Sequence, residues 1–212
     1  MTHTTPLRVA VLLSGEGTSL ENLFDRIEAG SLAARVALVI ASKPKAGGLE
    51  RARRRGVPAV AISRRAHPDP VEFNDALHAE LDRHEIDLVV CLGFLSPFET
   101  RGKFDGRAMN VHPALVPAFS GRGFYGRRVH EAVLASGVKL TGVTVHFIDA
   151  EYDTGPVIVQ ESVPVLEGDT PESLAERVQA LERELVPRAI SLFAQGRLAI
   201  AGRWVRVLEA DA

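Results

Sequence analysis

Four short apolar runs, at residues 7–13, 36–41, 57–62 and 87–92, recur through the first half of the sequence, with helix-like patterns starting near Thr18, Gly47 and Pro70 between them. Parallel strands need a crossover of a dozen or more residues, usually a helix, so this rhythm reads as βαβ units on a parallel sheet. In Val9-Ala10-Val11-Leu12-Leu13 and Leu88-Val89-Val90-Cys91-Leu92 the apolar residues are consecutive. Strands covered by helices on both faces look like this, whereas half-exposed strands alternate. A fifth short run at 108–111 ends at Pro113.

The second half changes character. A Gly-rich polar segment at 119–128 leads into a helix expected over 127–135, and strand-like runs follow at 140–148 and 157–163. Thr141, Val143, Val145 and Phe147 alternate with Gly142, Thr144 and His146, the period of two of a strand. Asp169-Thr170-Pro171-Glu172 offers a capping residue, a proline at the first helical position and an acidic first turn. Leu174, Val178, Leu181 and Leu185 give the helix that follows one apolar stripe, and Pro187 is expected to kink or end it. A strand pair near 198–208 closes the chain. With no internal repeat and no Pro/Ser linker, the expectation is one α/β domain on a continuous, mostly parallel twisted sheet, with residues 7–110 and 111–212 as its halves.

Composition removes several function classes. The chain's 212 residues, 46% of them hydrophobic, suffice for a core without disulfides or a structural metal. Cys91 is the one cysteine, which excludes an internal disulfide and a cysteine-rich zinc site, and its apolar run reads as core. No stretch approaches the roughly 18 apolar residues of a spanning helix, and the N-terminus lacks a signal-peptide pattern, so a cytoplasmic protein is expected. Lys plus Arg number 25 against 27 Asp plus Glu, a net charge of −2 that provides no field for holding a polyanion. Small-molecule partners are expected rather than nucleic acid or a membrane. No His or carboxylate cluster has metal-ligand spacing, so no metal is expected. The run Arg51-Ala52-Arg53-Arg54-Arg55 reads as a solvated helix face.

Three segments carry candidate chemistry. Ser14-Gly15-Glu16-Gly17-Thr18-Ser19-Leu20 leaves the first strand and enters the first helix, where backbone N–H groups can be aimed at a phosphate. Leu20 replaces the third glycine of a dinucleotide fingerprint, and no Gly-Lys-Ser/Thr follows, so a monophosphate cradle and a plain tight turn both remain open. Gly17 is expected to be the point of closest backbone approach to the anion. Asn110 and His112, two apart at a strand end in Met109-Asn110-Val111-His112-Pro113, leave the same face at the carboxyl edge where α/β sheets bind ligands. An amide beside an imidazole suits a developing oxyanion and a proton, although such pairs more often serve only structure. Asp153, in Glu151-Tyr152-Asp153-Thr154-Gly155-Pro156, reads by itself as a turn aspartate; brought to His112, it would favour the imidazolium. His130 and His146 are candidates only for support.

These pieces, in this order, resemble the folate-dependent formyltransferase family, in the branch that acts on glycinamide ribonucleotide. The similarity runs from Leu7 to about Trp204, with Asn-x-His-Pro and the later Asp-x-Gly-Pro as its specific signal. It implies the formyltransferase fold with a Rossmann-like N-terminal half, and transfer of the formyl group of 10-formyltetrahydrofolate to glycinamide ribonucleotide in de novo purine (IMP) biosynthesis. By that resemblance Asn110 and His112 face the formyl oxygen, and Asp153 keeps His112 protonated and helps relay a proton. Gly17, Thr18 and Ser19 hold the ribonucleotide phosphate, and Gln179, Ala180, Leu181 and Glu182 lie at its ribose. The folate sits against Phe94, Leu95, Ser96, Pro97 and Phe98 and against Asp149, Ala150, Glu151, Tyr152 and Asp153. Monomer and homodimer are both open. Ser19 stands where the family often has asparagine. The arginine expected near Pro70 for the folate tail is missing, with Arg64 or Arg65 as substitutes, and Ser120-Gly121-Arg122-Gly123-Phe124-Tyr125-Gly126 is long enough to be a lid. The family's tRNA-directed and hydrolase branches are rivals expected to differ in length, and a non-catalytic nucleotide-binding module is the rival of another class.

Overall fold

A computed structural model of the chain describes residues 6–209. Its elements are β1 (Leu7–Leu13), α1 (Thr18–Glu28), β2 (Ala34–Ala41), α2 (Gly47–Arg54), β3 (Ala59–Ala61), α3 (Pro70–Arg83), β4 (Leu88–Leu92), β5 (Ala108–His112), α4 (Arg127–Ser136), β6 (Leu140–Phe147), β7 (Val157–Pro164), α5 (Pro171–Ala194), β8 (Leu198–Ala201) and β9 (Trp204–Val207). Seven strands form one sheet in the order β3-β2-β1-β4-β5-β6-β7, and β8 pairs with β9. β1 runs parallel to β2 and β4, and β2 parallel to β3, while β6 and β7 are antiparallel. The α/β fold on a mostly parallel sheet is the one the rhythm of apolar runs implies.

The chain divides into two compact units, one up to Met109 and one from Asn110. In the first, the consecutive apolar residues of β1 and β4 are buried from Val9 to Leu13 and from Leu88 to Leu92, as two-sided cover requires. Cys91 belongs to this core, and burial pushes its thiol pKa up to about 12. α3 begins where Asp69 accepts hydrogen bonds from Val71 N and Glu72 N, with Pro70 at the first helical position. β3 is shorter than the run at 57–62. Val57 N instead closes the end of α2 by donating to Ala52 O, and Pro58 has no N–H, although its carbonyl still accepts from Val39 N. Two of the expected solvated arginines are also engaged. Arg55 meets Glu21, Asp25 and Glu28 of α1, and Arg51 meets Glu21.

In the second unit, Thr170 caps α5 by accepting from Ser173 N, and Ser173 Oγ accepts in return from Thr170 N. Pro187 neither ends nor interrupts this helix, which runs on to Ala194. Val186, Pro187, Ala189 and Ile190 are all buried, and that packing outweighs the missing backbone bond. Leu174, Val178 and Leu185 form the expected stripe, while Leu181 is only half-buried. No helix among the described residues is long and apolar enough to cross a membrane.

Candidate active site

The second unit brings Asn110, His112 and Asp153 together. Asn110 and His112 share one face of β5 because strand side chains repeat every two residues. Asp153 lies in the turn between β6 and β7 at φ 58°, a left-handed conformation that aspartate tolerates better than most residues. Gly155 lets this turn close tightly, since a Cβ there would lie 1.8 Å from Phe147 O. The aspartate's side chain is only 9% exposed, against the reading of a plain turn residue. Its Oδ2 lies 3.4 Å from His112 Nδ1 and accepts from Gly121 N at 2.8 Å, and its Oδ1 accepts from Asn110 Nδ2 at 3.2 Å.

His146 completes the group. Its Nδ1 donates to Phe147 O at 2.8 Å, and its Nε2 lies 3.2 Å from Asn110 Nδ2 and 3.5 Å from Asp153 Oδ1. The alternation of Gly142, Thr144 and His146 along β6 was the signal available for it, because period two places all three on one face. Both N–H groups of Asn110 are thus turned into the cluster, toward Asp153 and His146.

The protonation of His112 follows from its neighbours. Phe119 O, 2.8 Å from Nε2, can only accept, so Nε2 carries a proton and Nδ1, facing Asp153, is the nitrogen that titrates. Burial pushes the His112 pKa below its ordinary value, against the upward pull of Asp153 and the Phe119 carbonyl. Asp153 favours the imidazolium, and dehydration of a ring that is 3% exposed opposes it as the largest influence. Burial acts against the Asp153 carboxylate too, but the nearby His146 and His112 rings and the hydrogen bond from Gly121 N hold its pKa below the usual range. The result is an ionised carboxylate beside a ring ready to take a proton at Nδ1, with amide donors alongside. Such a group can stabilise charge on a carbonyl oxygen and move a proton.

In the first unit, residues 14–20 carry the chain out of β1 through a tight turn and into the first turn of α1. Gly15 O accepts from Gly48 N at 3.2 Å, and Glu16 O accepts from Arg51 Nε at 2.8 Å. In trans peptides the N–H points opposite to the C=O, so the N–H groups of Glu16 and Gly17 are turned away from α2. Gly17 sits at φ 74°, and a Cβ on it would lie 2.7 Å from Gly48 Cα. Close packing against α2 is therefore the requirement the structure places on this glycine. Thr18 and Ser19 open the helix with no side-chain cap, at its positive end.

Ser14 Oγ accepts from Leu95 N at 2.9 Å and pairs with Ser42 Oγ at 2.5 Å, tying the 14–20 turn to the segment after β4. Leu95 is 47% exposed, and Phe94, Ser96 and Pro97 are at least partly exposed. Phe98 instead buries its ring on His78, with centroids 5.5 Å apart. Arg64 lies over the Phe73 ring and donates to Pro68 O, while Arg65 is exposed. Gln179, Ala180, Leu181 and Glu182 occupy one turn of α5 in the second unit, the first two exposed and the last two half-buried. Asp149, Ala150, Glu151 and Tyr152 lead into Asp153, and Asp149 Oδ1 accepts from Thr154 Oγ1 at 2.7 Å.

Comparison with known proteins agrees over most of the chain. The family model described as Formyl transferase matches residues 7–190. A phosphoribosylglycinamide formyltransferase of Mycobacterium tuberculosis is 40% identical over 200 residues, covering 93% of this chain and 90% of the relative. The human trifunctional purine biosynthetic protein adenosine-3 is 39% identical over 193 residues, which cover 89% of this chain and 18% of that protein, and the chain spans a fifth or less of the trifunctional relatives it matches. The crystal structure of glycinamide ribonucleotide transformylase 1 from Symbiobacterium toebii superposes with a TM-score of 0.90 at 43% identity, covering 96% of this chain and 95% of that one. A match that begins with the first strand and runs into the last long helix, joined to likeness in both sequence and fold, places this chain in the formyl transferase family.

Proposed function

We propose that this chain transfers the formyl group of 10-formyltetrahydrofolate to the amino group of glycinamide ribonucleotide, a step of de novo purine biosynthesis. The observation that carries the reading is the meeting of Asn110, His112 and Asp153 in one largely buried, hydrogen-bonded cluster, in a chain that covers 90% of a bacterial relative with a glycinamide-directed name. The amine nitrogen attacks the formyl carbon and the carbonyl electrons move onto oxygen. Asn110 exchanges one partner inside the cluster for that oxyanion, an interaction strongest in the transition state. The attacking nitrogen must lose a proton and the folate N10 must gain one before the carbon–N10 bond breaks. His112 carries it: Nδ1 takes the proton, Asp153 stabilises the imidazolium, and the ring releases it, through water, toward N10.

Binding is divided between two kinds of surface. Glu16 and Gly17 N–H groups and the start of α1, with the Thr18 and Ser19 hydroxyls, hold the phosphate. Glu182, within the turn from Gln179, reaches the ribose. For the pterin, Phe94, Leu95, Ser96 and Pro97 offer an apolar surface in the first unit, and the 149–153 backbone offers hydrogen bonds in the second. On this reading the protein works in the cytoplasm on small molecules, with no resident metal. Purified protein given both substrates should form formylglycinamide ribonucleotide together with tetrahydrofolate. Formate release that does not depend on glycinamide ribonucleotide would instead assign a hydrolase.

A further inference from the structure

We propose that Gln160 and Thr144 are positioning residues for His112, acting through the segment at 114–121. This rests on the role given to His112 above, but the contacts that carry it are independent of any substrate. Gln160, on β7, spends both amide N–H groups at once: Nε2 donates to Val116 O at 3.1 Å and to Thr144 Oγ1 at 2.9 Å. Thr144, fully buried on β6, donates its own proton to Ala114 O at 2.7 Å and accepts from Val116 N at 3.2 Å. Its hydroxyl is therefore used to capacity, one donor and two acceptor positions. Between them the two side chains hold both backbone groups of Val116. Gly142, beside them on β6, is required chiefly by the β7 backbone, since a Cβ there would lie 2.1 Å from Glu161 O; it would also lie 2.6 Å from Leu115 Cδ2.

What this clamp controls lies three to five residues on. Phe119 sits at φ 52°, a region that bulky residues avoid and that persists only where the surroundings over-determine it. That conformation presents Phe119 O to His112 Nε2, and two residues later Gly121 N holds Asp153 Oδ2. One segment thus fixes the tautomer of the ring and the orientation of its carboxylate. The groups acting on His112 are Asp153 from the turn after β6, His146 on β6, His130 on α4 and the Phe119 carbonyl. Of these the carbonyl depends on the clamp directly and Asp153 through its bond from Gly121 N, and both favour the charged ring. Loosening the clamp should therefore move the His112 midpoint to lower pH. Gln160 is exposed, so replacing it should disturb the core little.

The test is Gln160→Met, which keeps length and removes the donors, with Thr144→Val and Thr144→Ser beside it. Gln160→Met and Thr144→Val should lower kcat by about tenfold, with each substrate's KM within about twofold, as expected for a misplaced proton carrier. The His112 titration, followed by NMR of the imidazole, should shift to lower pH in both, while Thr144→Ser keeps both kcat and midpoint near wild type. An unchanged His112 midpoint in Gln160→Met, whatever its turnover, overturns the proposal; if that variant does not fold, the same midpoint in Thr144→Val decides. Wild-type protein without transfer activity but with the midpoint shift in the variants would overturn the substrate assignment and leave the clamp standing.

Discussion

The turn at 14–20 and the cluster around His112 solve the placing of polar groups in opposite ways. In the turn, backbone does the placing: two carbonyls are fixed by α2, Gly17 lies so near Gly48 that a Cβ would have no room, and N–H groups are turned outward. In the cluster, side chains from β5, β6 and the turn before β7 do it, each satisfying another. Changes in the first region should therefore appear mainly in stability and binding, and changes in the second mainly in turnover.

The largest expected effects test the second half of that contrast. His112→Ala and Asp153→Asn should each lower kcat by roughly 10²-fold or more with ribonucleotide binding largely intact, because they remove the proton carrier or the charge that stabilises it. Steady-state kinetics with direct binding measurements decides this; near-normal turnover removes the residue from the chemistry. Gly17→Val probes the other side. A left-handed φ and a clash with the α2 backbone should cost ~2 kcal/mol of stability, read by denaturant unfolding, before any question of ligand arises. A variant as stable as wild type with weak ribonucleotide binding would return Gly17 to the role of a ligand contact. Ser14→Ala leaves the Leu95 N–H without its acceptor and should cost ~1 kcal/mol, with a higher KM for folate and an unchanged kcat.

The smallest effect concerns pH. His112 and His130 both have pKa values lowered by burial from the ordinary 6.5, so below about that pH the unfolded chain binds more protons than the folded one. Their contribution to stability is present at neutral pH and is lost as pH falls. Unfolding measured from pH 7 to pH 5.5 should show stability declining, and less steeply in a His112→Gln/His130→Gln variant. A slope unchanged in that variant would mean that other groups set it.

The contrast also explains what could be read from residues alone. Consecutive apolar runs announce β1 and β4, and the Gly-rich turn announces itself because local backbone rules dictate it. The spacing of Asn110 and His112 puts them on one face for the same reason. Asp153 is different: nothing in Glu151-Tyr152-Asp153-Thr154 reports that the turn folds back over β5, and only the resemblance joined it to His112. The lowered pKa of His112 was hidden as well, since it depends on how completely distant segments exclude water from the ring. Pro187 misleads in the same manner, a local rule overruled by the packing of α5.

The sole sulfhydryl, Cys91, lies 3% exposed near the end of β4 with its ionisation pushed out of the physiological range. Thiol reagents should pass it by while the fold holds. A cysteine introduced on the surface could then carry a dye or spin label on otherwise native protein, so that movements of the 119–126 segment can be followed during turnover.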